Sequence, residues 1–220
     1  MHQPVIFEDI DQGTEEWKQL RAGIPTASMF GTVLAKGEGK TRSKYMRALC
    51  GEVITGEPML SYSNAHMERG KTLEDEARET YAFVNDVAVR QVTFVRNGRK
   101  GCSPDGLIGD NGGLEIKTAI PEIHIERLFR DDVPPEHKAQ VQGNLWVSER
   151  EYWDFVSYWP RLPLLTKRVY RDEAYIKTLS DEIDRFNDEL MDMVGRVRRY
   201  GQPPLTMADM PEAARFLMAG

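Results

Sequence analysis

The sequence predicts an α/β fold in which a mixed central β-sheet is flanked by helices. Apolar residues recur with helical spacing towards both ends of the chain, whereas the middle alternates apolar and polar residues as strands do. A length of 220 residues suits one α/β domain with a sizeable core. We therefore expect a single domain over residues 1–220, with a C-terminal tail over about 203–220.

Helical periodicity dominates the first 85 residues. A short helix follows Thr14 and ends at Gly23, and a second begins with Thr26 as its N-cap. A polar, glycine-punctuated loop is predicted over 36–42. Two longer helices are then predicted, over 43–54 and 64–85, with Gly56 and Pro58 between them.

The middle of the chain changes to the period of strands. A meander of about three strands is predicted over 87–95, 101–108 and 114–117, with turns at Asn97-Gly98 and over 109–113. Beyond it we expect helices over 121–130, 135–147 and 173–200, strands over 152–158 and 164–170, and a short helix after Pro203-Pro204.

Composition narrows the class of protein. No apolar run approaches the roughly 20 residues that span a bilayer, and the N-terminus lacks the order of a signal peptide. The two cysteines, Cys50 and Cys102, cannot build a disulfide scaffold or a four-cysteine metal site, so a cytoplasmic location is expected. The net charge of −6 is compatible with a locally basic cleft and decides nothing about nucleic acid.

Two short segments carry the candidate chemistry. Asp105 ends the segment Ser103-Pro104-Asp105, and Glu115 and Lys117 share one face of the following strand because side chains two apart in a strand point the same way. Hairpin pairing would bring Asp105 beside them. Two carboxylates with the Ile116 carbonyl suit Mg²⁺ or Mn²⁺, and the lysine can orient water and offset charge. The alternative is a solvated charged hairpin, since a Glu-x-Lys triplet arises by chance about once per 200 to 300 residues.

Six ordered blocks of the sequence resemble the family of phage lambda exonuclease, also called YqaJ-like viral recombinases or alkaline exonucleases. They are residues 16–23, 26–28, 70–74, 102–107, 113–117 and 139–142. The resemblance implies a restriction-endonuclease-like core of the PD-(D/E)xK superfamily. It also implies a 5′ to 3′ exonuclease that degrades linear duplex DNA by two-metal hydrolysis, releases mononucleotides and leaves 3′ single-stranded tails.

The resemblance assigns roles to particular residues. Asp105, Glu115, the Ile116 carbonyl and Glu74 would bind two Mg²⁺ ions, for which Mn²⁺ substitutes. The catalytic residues would be Asp105, Glu115, Lys117, Gln140 and Glu74. From the residues alone, Glu74 also fits an ordinary charged helix surface, and Gln140 fits a surface glutamine.

A 5′-phosphate pocket is implied at Arg21, Ser28 and Ser103. A helix N-terminus attracts anions and an arginine grips phosphate bidentately, although Thr26 and Ser28 also suit plain helix capping. Further DNA contacts are implied at Met67, Lys36, Lys40 and Arg42. Met67 would part the terminal base pairs or else fill the core, and the basic loop would track phosphates or else be merely solvated.

The family also implies partners. These are double-stranded DNA with 5′-phosphorylated ends, two further copies in a homotrimeric ring, and a single-strand-annealing recombinase in a bacterial host, with a phage or prophage origin. Two alternatives stay open, a PD-(D/E)xK endonuclease of restriction or repair type and a non-catalytic DNA-end-binding module.

Overall fold

The computed structural model describes residues 3–11, 13–35, 40–58 and 65–202, without the side chains of residues 65–71. The helices are α1 (Glu15–Arg21), α2 (Ala27–Leu34), α3 (Lys40–Thr55), α4 (Ala65–Asn85), α5 (Pro121–Arg130), α6 (Lys138–Ser148) and α7 (Glu173–Arg198). The strands are β1 (Val5–Phe7), β2 (Val89–Arg90), β3 (Phe94–Asn97), β4 (Lys100–Cys102), β5 (Gly106–Ile108), β6 (Gly112–Thr118), β7 (Tyr152–Tyr158) and β8 (Leu165–Tyr170). The short C-terminal helix predicted after Pro203-Pro204 lies outside the described residues.

A five-stranded sheet in the order β2-β5-β6-β7-β8 forms the centre of the fold. The β6–β7 pair is parallel and the other pairs are antiparallel, which confirms the predicted mixed sheet. A second sheet has the order β1-β3-β4. The central sheet therefore contains the strand that carries Glu115 and Lys117, paired on both sides.

Two of the predicted strands are wrong, because each is two shorter strands in the structure. The segment 87–95 is divided into β2 and β3, and the segment 101–108 into β4 and β5, with the members of each pair in different sheets. The second division falls at Pro104, which has no N–H to donate to a ladder. Alternation of apolar and polar residues continues across such a break, so the pattern alone does not reveal it.

The predicted loop over 36–42 is also wrong in its last three residues, because α3 already begins at Lys40. Lysine, threonine and arginine are all acceptable in a helix, and packing decides between helix and loop. Here Arg42 holds the start of α3 against α7 through an ion pair with Glu189 at 2.8 Å.

Helices cover both faces of the central sheet. On one face α4 is tied to β7 by two hydrogen bonds, from the Tyr81 hydroxyl to buried Asp154 and from the Tyr158 hydroxyl to Glu76, each at 2.5 Å. On the other face α6 packs closely against α2, and a Cβ added at Gly143 would meet Phe30 at 2.5 Å. Behind them α3 and α7 enclose the largest apolar cluster. The sheet is thus fixed on both sides.

No helix among the described residues is both long and apolar enough to cross a membrane.

Candidate active site

The β5–β6 hairpin brings Asp105 to the strand of Glu115 and Lys117. Gly106 pairs with Leu114, so the residue before β5 meets the next part of β6. The Asp105 amide donates to the Leu114 carbonyl at 3.1 Å, and the Asp105 carboxylate accepts from the Ile116 amide at 2.5 Å. The two segments therefore meet, as the sequence predicts.

The Ile116 carbonyl is directed towards the same place. The N–H and C=O of one strand residue point to the same edge of the strand. Since the Ile116 N–H points to Asp105, the Ile116 carbonyl faces the space in front of β5 as well. Asp105 and this carbonyl form an oxygen-rich corner at the end of the hairpin.

Glu115 is the most enclosed carboxylate of the site, with 2% of the residue exposed. Its Oε1 lies 2.5 Å from Lys117 Nζ and accepts from Gln140 Nε2 at 2.6 Å, while its Oε2 accepts from Asn144 Nδ2 at 2.9 Å. A buried carboxylate needs such donors, because an unpaired buried charge is strongly destabilising. Gln140 and Asn144 are four residues apart on α6 and so share one face of that helix.

Glu74 reaches the site from α4. Its Oε1 accepts from Arg78 Nη2 at 2.9 Å, and Arg78 also donates to the Asp105 carbonyl at 2.7 Å and to Asp75 at 2.6 Å. A cavity of about 400 Å³ is lined by Glu74, Asp75, Arg78 and Asp105 together with residues that precede β3. Glu74 therefore lines the same cavity as Asp105 and is held there by Arg78.

The ionisable side chains of the site shift one another's pKa values. Burial, followed by the charges of Glu115 and Glu74, raises the pKa of Asp105 well above its usual range. Burial likewise raises the pKa of Glu74. Burial lowers the pKa of Lys117, but the neighbouring carboxylates, Glu115 first, outweigh burial and leave that pKa raised. The lysine is thus a stable cation among carboxylates that repel one another.

The donor set suits a hard divalent cation. Carboxylate and carbonyl oxygens are the ligands that Mg²⁺ prefers, and a cation between Asp105, Glu115 and Glu74 would relieve the repulsion that raises the carboxyl pKa values. Among the described residues no three such side chains are already close enough to form a metal site. Instead Lys117 is paired with Glu115 and Arg78 with Glu74, so these carboxylates would have to turn from those partners to hold a metal ion.

The predicted phosphate pocket lies beside the strand that leads to Asp105. Arg21 Nη1 donates to Ser103 Oγ at 2.7 Å, and its guanidinium lies 4.3 Å from the centre of the Trp17 ring. Thr26 forms a parallel bridge to Gly101, which places the N-terminus of α2 near this pair. A cavity of about 320 Å³ opens here, lined in part by Trp17, Arg21 and Thr26.

Ser28 lies in the first turn of α2 and is exposed. Thr26 is the N-cap residue, as predicted, but its side chain makes no capping hydrogen bond. Instead its Oγ1 lies 3.3 Å from Ser28 Oγ. The capping interpretation is therefore wrong for the Thr26 side chain.

Of the four remaining predicted DNA contacts, two lie among the described residues. Arg42 is held by Glu189 and lies 5.1 Å from the centre of the Phe186 ring. Lys40 is the exposed first residue of α3. Lys36 and the Met67 side chain lie outside the described residues.

Sequence reasoning missed several residues of the site, above all Asn144 and Arg78. Asn144 lies four residues after Gln140 and Arg78 four after Glu74, a spacing that places each pair on one helix face. That spacing was the available signal. This spacing is informative only after Gln140 and Glu74 have themselves been assigned to the site.

The sheet and this cluster together define a nuclease fold of the PD-(D/E)xK type. Residues 16–151 match the YqaJ-like viral recombinase domain. An alkaline exonuclease from Laribacter hongkongensis is 34% identical and superimposes with a TM-score of 0.78, over 85% of this chain and 97% of that chain. The chain belongs to the family of YqaJ-like viral recombinase domains.

Two further structures are similar. The Laribacter exonuclease in complex with dAMP is 35% identical, with a TM-score of 0.79 over 85% of this chain and 97% of that one. A phage-related exonuclease from Haemophilus somnus 129PT is 14% identical, with a TM-score of 0.56 over 80% and 98% of the two chains, and shares the fold. The comparison with curated proteins found no match.

Proposed function

We propose that this protein is a Mg²⁺-dependent exonuclease that degrades linear double-stranded DNA in the 5′ to 3′ direction and leaves 3′ single-stranded tails. Membership of the family and the likeness to an alkaline exonuclease support a nuclease function. The observation that carries the proposal is the meeting of Asp105 with the strand of Glu115 and Lys117. A solvated hairpin would not bury Glu115 among three donors.

Asp105, Glu115, Glu74 and the Ile116 carbonyl would hold two Mg²⁺ ions, for which Mn²⁺ substitutes. When bound, such ions supply Lewis acidity at the phosphodiester and lower the pKa of water. Gln140 keeps the Glu115 carboxylate in one orientation. Lys117 remains an ammonium ion at neutral pH, since its pKa is raised. It therefore positions water and stabilises the negative charge that develops on the phosphate oxygens.

The 5′ to 3′ direction of digestion would follow from the cavity beside Arg21, where a terminal phosphate would bind. A guanidinium already fixed on the Ser103 hydroxyl, near the N-terminus of α2, is suited to a terminal phosphate dianion. Ser28 would add a hydroxyl donor. On the family resemblance we also propose a homotrimeric ring around the DNA and a single-strand-annealing protein that takes over the 3′ tails.

Digestion of end-labelled DNA tests the proposal. Linear duplexes with a 5′-phosphate or a 5′-hydroxyl are incubated with Mg²⁺, with and without chelator, alongside a closed circular duplex. We expect Mg²⁺-dependent loss of the 5′-phosphorylated strand, slower loss from 5′-hydroxyl ends, and an intact circle. Cleavage of the circle would indicate an endonuclease instead.

Lys117→Ala is the decisive variant, with Lys177→Ala as its control. Lys177 is an exposed lysine on α7 that forms an ion pair with Asp181 four residues on. Lys117→Ala should be almost inactive while it still binds DNA ends, and Lys177→Ala should digest like the parent. Digestion by Lys117→Ala at the parental rate would refute the assignment of this lysine.

A further inference from the structure

A second polar cluster lies next to Lys117, at the carboxyl end of β7. Lys117 is paired in register with Ser157 across the parallel β6–β7 pair, so the two side chains emerge side by side from one face of the sheet. The His137 ring, just before α6, lies 5.2 Å from the ring of Phe155 on that same face. None of these neighbours is used by the chemistry proposed above.

Arg127 of α5 is the cation of this cluster, and hydrogen bonds fix its guanidinium. Its Nη1 donates to Ser157 Oγ and its Nη2 to His137 Nε2, both at 3.2 Å. Ser157 Oγ also lies 2.8 Å from Nδ1 of buried His124, whose Nε2 donates to the Pro163 carbonyl at 2.9 Å. With the His124 proton on Nε2, Nδ1 can accept from Ser157, which leaves the serine oxygen to accept from Arg127.

The cluster has a defined charge. Because the Arg127 guanidinium can only donate, His137 accepts at Nε2 and is neutral. Burial, followed by the charges of Lys117 and Arg127, lowers the pKa of His137 to about 4, with Glu136 acting in the opposite direction. At neutral pH the positive charge of this surface therefore resides on Arg127 and Lys117.

Arg127 forms no ion pair within the described part of the chain, so its charge is not neutralised there. By contrast, Arg78 and Arg168 each hold a carboxylate at 2.9 Å or less. Glu126 and Glu136 influence it only at longer range, and burial lowers its pKa. Its hydrogen bonds to Ser157 and His137 use two of its five N–H donors. A fixed, partly exposed guanidinium with free donors matches the geometry of a phosphate.

We propose that Arg127 binds a backbone phosphate of the DNA strand next to the scissile one, and that Ser157 and His137 are positioning residues that fix its guanidinium. The proposal rests on the proposed nuclease function, which brings a DNA strand to Lys117. An acidic protein that binds DNA needs local cations in its cleft, and Arg127 supplies one beside the catalytic lysine.

The salt dependence of DNA binding tests this role. Anisotropy of a labelled 5′-phosphorylated duplex is measured in chelator between 50 and 200 mM KCl, for the parent, Arg127→Gln, Arg127→Lys and Arg130→Gln. Arg130 is the matched control, since it lies three residues on in α5 and is exposed. Loss of one phosphate contact lowers the slope of log affinity against log salt by about 0.7 to 0.9.

We expect Arg127→Gln to lose about that much slope and to bind about tenfold more weakly at low salt, with KM raised more than kcat is lowered. Arg127→Lys keeps the charge and should keep the parental slope, while Arg130→Gln should match the parent. A parental slope for Arg127→Gln, or an equal loss in Arg130→Gln, would overturn the proposal. Failure of the nuclease function is seen separately, as a parent that binds the duplex but does not digest it in Mg²⁺.

Discussion

Asn144 provides a quantitative test of how the buried carboxylate is held. It is 1% exposed and donates a 2.9 Å hydrogen bond to Glu115, which is 2% exposed. Asn144→Leu keeps roughly the side-chain size but removes the donor. Hydrogen bonds to charged groups contribute about 1.5 to 3 kcal/mol, and a buried carboxylate short of a donor lies towards the upper end. We expect the free energy of unfolding to fall by about 2 to 3 kcal/mol.

A double-mutant cycle with Glu115→Gln isolates the charge, using urea denaturation in chelator. A hydrogen bond between neutral groups contributes about 1 kcal/mol, so Asn144→Leu should be less harmful in the Glu115→Gln background, with a coupling energy of about 1 to 2 kcal/mol. Gln142→Leu is the control, because buried Gln142 bonds to Tyr170 and Asp172 instead and should be additive with Glu115→Gln. Equal losses from Asn144→Leu in both backgrounds would refute this account.

Three further outcomes are expected. Gly143→Ala should destabilise by about 1 to 3 kcal/mol in urea, because its Cβ would lie 2.5 Å from Phe30, whereas Gly51→Ala, with open space around it, should be neutral or slightly stabilising. The pKa of His137 is about 4 when folded against 6.5 when unfolded, so its neutral form supports stability above pH 6.5 and that support is lost as the pH falls towards 4. His137→Asn should therefore lose less stability than the parent between pH 7 and pH 5. Mg²⁺ at 100 times its Kd should stabilise the parent by about 2.7 kcal/mol, raising Tm, and Glu115→Gln should show a much smaller shift.

The meeting of Asp105 with the strand of Glu115 and Lys117 could be predicted because the two segments are close in the sequence. Only nine residues separate Asp105 from Glu115, and a glycine-rich turn between two strand patterns leaves hairpin pairing as the simple outcome. Strand alternation then fixes that Glu115 and Lys117 share a face. Most helices follow from periodicity in the same way.

Contacts between residues that are far apart in the sequence could not be predicted from local patterns. Asn144 meets Glu115 across 29 positions, and Arg127 meets Ser157 across 30. Neither pair leaves a periodic signal, since each depends on how a helix is docked on the sheet. The strand β1 was missed because three residues at an edge carry too little pattern.

The segment Ser103-Pro104-Asp105 has a consequence for product size. Ser103 contacts Arg21 in the proposed phosphate pocket and Asp105 meets the strand of Glu115 and Lys117, so one proline separates the two contacts. Two residues span at most about 7 Å, and the ring of Pro104 restricts φ. The segment would therefore fix the distance between the proposed phosphate pocket and Asp105. An enzyme that binds a terminal phosphate at such a fixed distance from its active site removes the same short length of DNA in every turnover. Insertion of one glycine after Ser103 should therefore give products of variable length while cleavage still occurs.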